Sequence, residues 1–381
     1  MTLASKLPLV GTTIFTQMSA LAAEFGALNL SQGFPDFAPD QRLLDRAATA
    51  ITLGNNQYAP MTGLPALREA IAGLISQHYG RTVDANLEVT VTSGASEAIF
   101  DAIAALVRPG DEVVLFDPAY DLYEPAVLLA GGVWRRLALT APDFRPDWQA
   151  FEAVLGPKTR LVIINSPHNP TGSCWQEQDL AALWQAIKSQ DCYLISDEVY
   201  EFIHFGETAV SVHKHSQLRD RALVVSSFGK SFHLTGWKLG YVVAPAALSA
   251  ELRKVHQFVT FCTATPLQAA MAEHLKALPE ETFTLAGFYR QKRDLLRDLL
   301  AGSRFKLLPC DGTYFQLLDY SAISDEDDLS FCQRLVKDIG VAAIPVSVFY
   351  AEPPAGQRLI RLCFAKEDDT LKEAARRLSQ L

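Results

Sequence analysis

From residue 88 onward the chain alternates short β-branched runs with longer stretches of helical period, and that alternation is its strongest constraint on fold. Strand patterns cover 88–92, 112–116, 133–139, 160–165, 193–196, 222–226 and 239–243. Helical patterns such as 97–107 and 177–188 lie between most of them. Strands joined through helices need crossover connections, which implies a mainly parallel sheet covered on both faces. The last run follows its predecessor after a short link rich in Gly and Thr, so it is expected to lie antiparallel. Beyond Ala246 the texture becomes helical, with a long candidate at 283–300, then strand-like runs at 313–318, 341–344 and 359–364. The expected fold class is therefore α/β: a large domain with a mainly parallel seven-stranded sheet sandwiched by helices, plus a smaller α+β domain. With 381 residues, 49% of them hydrophobic, the chain can bury two cores. Residues 1–45 read as an N-terminal arm and part of the small domain, 46–275 as the large domain and 276–381 as the C-terminal small domain.

A net charge of −9 and a pI near 5.4 argue against nucleic acid and anionic membranes as partners. The first ten residues lack a basic segment followed by an apolar core, and no apolar run approaches the ~20 residues of a membrane span. The chain reads as soluble and cytoplasmic. Six scattered cysteines without a Cys-x-x-Cys pair read as free thiols, and His213 with His215 has no third ligand nearby, so no metal is expected.

Polar and small residues gather where the strand patterns end. Ser93-Gly94-Ala95-Ser96 opens a helix, Asp117-Pro118-Ala119-Tyr120 follows the second strand, and Asn165 through Gly172 follows the fourth. Asp197-Glu198-Val199-Tyr200 and Ser227-Phe228-Gly229-Lys230 follow the fifth and sixth. Ligands of open α/β sheets bind beyond the carboxyl ends of strands, so five such clusters on one sheet edge point to a site, although each alone reads as a capped turn. Gly229-Lys230-Ser231 is not a nucleotide loop, because Val224 stands where the first glycine of that motif is required. Lys230, after an apolar run, instead suits a desolvated nucleophilic amine that holds an aldehyde as a Schiff base. Gly94, Ala95 and Ser96 offer backbone N–H groups at a helix start to a phosphate, with Ser227 and Lys238 completing the cup. Asp197 would be costly to bury unpaired, and a protonated pyridine nitrogen compensates it. Tyr200 and Asn169 offer hydrogen bonds to a ring oxygen, and Tyr120 a stacking face. An aldehyde on a phosphorylated pyridine is pyridoxal 5′-phosphate, with Lys230 as its anchor.

Together with these clusters, Ser31-Gln32-Gly33-Phe34-Pro35-Asp36-Phe37, Asn56-Gln57-Tyr58, Asn169-Pro170-Thr171-Gly172, Thr235-Gly236-Trp237-Lys238 and Ile360-Arg361-Leu362-Cys363-Phe364 resemble class I aminotransferases of pyridoxal-phosphate fold type I. The opening segment and residues 343–350 look most like kynurenine–oxoglutarate transaminases and their bacterial relatives that act on methionine. The resemblance implies that Lys230, Asp197 and Tyr200 are catalytic and that Arg361 clamps the substrate α-carboxylate through its bidentate fork. It also implies that Gly33 and Asn169 touch that carboxylate and that Phe15 and Phe261 line the side-chain pocket. Tyr58 would reach the phosphate of a neighbouring subunit, which makes the active form a homodimer with shared sites. Ser96 stands where the kynurenine enzymes carry an aromatic residue, and Cys262 where they carry a histidine, which argues against kynurenine itself as the preferred substrate.

The expected reaction is a ping-pong exchange between a large uncharged amino acid (methionine, an aromatic, leucine or glutamine) and a 2-oxo acid. Cysteine-S-conjugate β-elimination on the same fold is the alternative, since both reactions pass through loss of the α-proton. A silent effector-binding domain is a further alternative, but such regulators carry a DNA-binding segment ahead of the fold and only about 45 residues precede the large domain here. Cis peptides are expected at Asp117-Pro118 and Asn169-Pro170, and His168 is expected to pack beneath the site.

Overall fold

The structure is a computed structural model that describes residues 4–206, 210–278 and 280–381. Its strands, in chain order, are β1 (Leu28–Asn29), β2 (Val89–Thr92), β3 (Glu112–Asp117), β4 (Val133–Ala138), β5 (Thr159–Asn165), β6 (Tyr193–Asp197) and β7 (Ala222–Ser227). There follow β8 (Gly240–Val243), β9 (Lys306–Leu307), β10 (Phe315–Asp319), β11 (Val341–Ala342), β12 (Ile344–Pro345) and β13 (Leu359–Cys363).

Seven strands form one sheet in the order β2-β8-β7-β6-β5-β3-β4. The expected antiparallel member is β8, which opposes both β7 and β2, while every other neighbouring pair is parallel. The central strands β6, β7 and β8 are buried along nearly their whole length, as strands between two helical layers must be. On one face Val113, Ile163 and Leu223 of the sheet pack with Ile99 and Ile103 of the helix Ala95–Leu106 and Leu248 and Leu252 of the helix Ala246–Val259. On the other, Phe151, Leu183, Val162 and Leu194 pack with the helices Trp148–Val154 and Glu177–Ile187.

The smaller lobe is built on the antiparallel sheet β12-β13-β10-β9, crossed by the helices Glu281–Leu300 and Asp368–Leu378. The N-terminal helix Ile14–Phe25 joins its core through Met18 and Ala22, and β1 pairs in parallel with β11. The run read as one strand at 341–344 divides in two: β11 pairs with β1, and β12 crosses to pair with β13. Cis peptides occur at Asp117-Pro118 and Asn169-Pro170, and also at Ala141-Pro142 and Ser166-Pro167. All six cysteines are free thiols. His213 contacts Arg81 at 3.0 Å, and the ring of His215 caps Leu218 N–H, so each has a local structural task. Among the described residues, no helix is long and apolar enough to cross a membrane.

Candidate active site

The carboxyl ends of β5, β6 and β7 and the start of the helix Ala95–Leu106 open onto one cavity of about 230 Å³, lined from the other side by Gln32, Gly33, Phe315 and Arg361. Of the residues expected in the site, Gly33, Gly94, Ala95, Ser96, Tyr120, Asn169, Asp197, Tyr200, Ser227, Lys230, Lys238, Arg361 and Phe15 all line it. Tyr58 and Phe261 do not. Both are surface residues, 84% and 43% exposed, and their rings meet edge-on at 5.3 Å. Phe261 lies just past the helix Ala246–Val259 in a left-handed turn at φ +69°, and its ring packs on Tyr58 at the surface instead of in the cavity. Cys262, beside it, is also absent from the lining. His168 is buried and contacts Thr171 Oγ1 at 2.7 Å, a packing role as expected.

Lys230 leaves the short helix Phe228–Ser231 after β7 and points its Nζ toward the Gly33 carbonyl at 3.1 Å. Burial disfavours its charge, and its pKa falls to about 8. Asp197, at the end of β6, is buried, and desolvation raises its carboxyl to about 6. Two donors oppose that rise: Tyr123 OH at 2.5 Å and Val199 N–H at 3.3 Å. No cation pairs directly with this carboxylate among the described residues. Asn165 ties the ends of β5 and β6 by donating to the Asp197 carbonyl at 2.8 Å and accepting from Asn169 N–H at 2.8 Å.

Arg361 comes from β13 and is 1% exposed, yet its fork faces the cavity. One arm donates to Asn169 Oδ1 at 2.7 Å and the other to the Ser31 carbonyl at 2.9 Å. The guanidinium lies 3.9 Å from the Phe315 ring centroid and 5.2 Å from that of Phe15. Stacking and two oriented bonds thus hold a buried cation ready for an anion.

Gly94 turns from β2 into its helix at φ +80° and ψ 168°, a conformation open to glycine alone. A Cβ there would stand 3.3 Å from Lys238 Cε. The turn leaves the first N–H groups of the helix facing the cavity beside that ammonium, an anion cradle. Beneath it, Glu97 accepts from Ser93 N–H and receives His256 Nδ1 at 2.7 Å, while His256 Nε2 donates to the Met61 carbonyl at 3.0 Å. Burial opposes charge on His256, but Asp101 and Glu97 outweigh it and raise its pKa to about 9.

Sequence reasoning missed Gln32, Asn165 and Phe315 in the lining, and Tyr123 and Tyr314 behind it. Gln32 and Asn165 sit within stretches already singled out. For the other three no local signal exists, because their positions depend on long-range packing.

A family model described as aminotransferase class I and II matches residues 26–378. The chain is 58% identical over 378 residues to the methionine aminotransferase of Escherichia coli K12, covering 99% of this chain and 98% of that one. A solved Escherichia coli structure, reported with a methionine aminotransferase function, superposes with a TM-score of 0.98 at 57% identity over the whole of both chains. The probable N-succinyldiaminopimelate aminotransferase of Mycobacterium tuberculosis is 40% identical over 390 residues, covering 99% of this chain and 98% of that one. Mouse kynurenine–oxoglutarate transaminase 3 is 35% identical over 401 residues, 97% of this chain and 88% of that one. A match of this extent, on a seven-stranded sheet with a lysine, a carboxylate and an arginine converging at its edge, establishes that this chain belongs to the class I and II aminotransferases, enzymes of fold type I that use pyridoxal phosphate.

Proposed function

We propose that this chain moves the amino group of a large uncharged amino acid (methionine, phenylalanine, tyrosine, leucine or glutamine) to a 2-oxo acid in a ping-pong cycle, with pyridoxal 5′-phosphate as its cofactor. The observation that carries the reading is a desolvated Lys230 amine sharing one cavity with the buried Asp197 carboxylate and the stacked Arg361 fork.

The residues present fit the cofactor. Asp197 is a buried carboxylate with only neutral donors on it, which suits a protonated ring nitrogen. The Gly94 turn, Ala95, Ser96, Ser227 and Lys238 suit a phosphate ester, and a side chain at position 94 would crowd Lys238. Bound pyridoxal phosphate supplies a carbonyl carbon that condenses with amines and a ring that takes up the electron pair left by a departing α-proton.

The chain's own groups do the rest. Lys230 holds the cofactor between turnovers; as a free amine, its Nζ takes the α-proton of the bound amino acid. Asp197 keeps a proton on the ring nitrogen. Tyr200 and Asn169 donate to the ring oxygen, and Tyr120 packs against the ring face. Arg361 binds the α-carboxylate, with Asn169 and the Gly33 backbone beside it. Phe15 offers an apolar wall to the substrate side chain. Among the described lining residues Arg361 is the single arginine, so a second carboxylate finds no matching fork, which supports uncharged donors. The similarity to the Escherichia coli methionine enzyme supports the same preference. Tyr58 and Phe261, turned outward, are assigned to the site of a second subunit in a homodimer.

Lys230→Ala is expected to abolish turnover and the borohydride-trapped cofactor adduct; normal turnover would refute the assignment. Half-reactions across a panel of amino donors, followed by cofactor absorbance, test the substrate range. Glutamate or aspartate reacting faster than methionine and phenylalanine would sink it, and pyruvate released from a β-substituted cysteine in preference to amino exchange would reassign the site to elimination.

A further inference from the structure

The carbonyl oxygen of Gly33 receives two donors. Lys230 Nζ approaches at 3.1 Å and Tyr314 OH at 2.6 Å. The strap that carries this carbonyl is pinned on both flanks. The Ser31 carbonyl accepts from Arg361, and the Phe34 carbonyl accepts from the buried Lys366 at 2.8 Å. Between those pins Gly33 packs closely on Phe315, where a Cβ would stand 2.9 Å from the ring. Tyr314 itself has no freedom to swing. It is fully buried, with ring centroids 5.1 Å from Tyr200, 5.5 Å from Tyr289 and 4.9 Å from Phe315. The preceding Thr313 sits at φ +65° with its N–H bonded to the Ile203 carbonyl at 2.8 Å, which sets the direction of entry.

A primary amine released in a dry site needs an acceptor, because a buried N–H without one costs the full desolvation of that group. It must also keep its lone pair aimed at the proton it removes, since general-base catalysis depends on geometry before pKa. A carbonyl fixed beside the amine meets both needs: it takes one N–H and so restricts where the lone pair points. Resting on the transaminase reading of this site, we propose that the Gly33 carbonyl is the docking point of the free Lys230 amine during proton transfer, and that Tyr314 is a positioning residue that holds this carbonyl in place.

Tyr314 acts through Gly33 and does not line the cavity. Burial is the main influence lowering the Lys230 pKa. Around it Cys363 and Asp197 favour the ammonium and Arg361 and Lys238 oppose it, while the rings of Tyr200 and Tyr314 each stand 5.7 Å from Nζ.

Tyr314→Phe in the full-length chain tests the proposal. With the cofactor removed, Lys230 is labelled competitively with acetic anhydride from about pH 6 to about pH 10 and read by peptide mass spectrometry. A hydrogen bond to the charged form holds an amine's pKa up, so losing the oriented carbonyl should lower the labelling midpoint by about one unit, a tenfold change in the proton-dissociation constant. Tyr289→Phe removes a buried hydroxyl without a hydrogen-bond partner from the same aromatic cluster and should leave the midpoint where it is. In the holoenzyme Tyr314→Phe should lower kcat about tenfold with the amino-donor KM within about twofold. An unmoved or raised midpoint, an equal shift in Tyr289→Phe, or a raised KM at unchanged kcat overturns the docking role. The labelling experiment needs no cofactor, so it decides this point even if Lys230 traps no adduct and the transaminase reading fails.

Discussion

Asp197 and Tyr123 show how a single contact tunes the site. Desolvation raises the Asp197 carboxyl, and the Tyr123 hydroxyl, donating at 2.5 Å, holds the rise to about 6. The carboxylate is therefore ionised above about pH 6 and neutral below it, and a neutral acid no longer compensates a protonated pyridine. Cofactor affinity, measured by absorbance titration, is expected to fall as pH drops through about 6. In Tyr123→Phe the ionised form loses a donor, so the same fall should occur roughly one unit higher; coincident curves would remove Tyr123 from the account. Asp197 was legible in the sequence because an ionisable residue ending an apolar strand demands a partner, and Lys230 because it follows such a strand closely. Tyr123 was not, since its hydroxyl reaches a carboxylate 74 positions away.

The helix Ala95–Leu106 carries the anion cradle, and its start depends on Gly94. The periodic pattern located the helix from residue 97, two residues late, because its first turn is small and polar and lacks an apolar period. Gly94→Ala forces a side chain into a glycine-only conformation at a cost of about 1–3 kcal/mol and crowds Lys238. We expect a roughly tenfold or greater loss of cofactor affinity, read by the same titration. Wild-type affinity in that variant would place the phosphate elsewhere. The division of 341–344 into β11 and β12 has a comparable origin. Each half finds a different sheet, and a run of apolar residues does not encode which strand will lie beside it.

The molecule leaves an apolar patch in water where the helix Ala246–Val259 ends. Phe258 is 86% exposed and Val259 51%, with Phe261 and Tyr58 packed edge-on nearby. Large exposed apolar groups clustered in this way mark association surfaces, and the proposed homodimer covers them. Phe258→Asp is expected to shift sedimentation toward the monomer and to weaken cofactor binding in parallel, because Tyr58 is then lost from its neighbour's site. A variant that stays dimeric with full affinity would show that the two subunits meet on another face.

The sequence by itself determined the α/β sheet, the antiparallel turn of β8 and the gathering of Lys230, Asp197 and Asn169 on one edge, since these follow from periodicity and from where polar residues interrupt buried strands. Arg361 was reached through the family resemblance, because an arginine in a strand-like run says nothing alone about what it faces. The aim of each side chain came from the folded chain. Tyr314 meets Gly33 across 281 positions and Arg361 meets Asn169 across 192, and such contacts exist only after distant parts of the chain have packed together. Neighbouring residues encode backbone preference and burial; orientation in a shared cavity is set by packing that no local stretch contains.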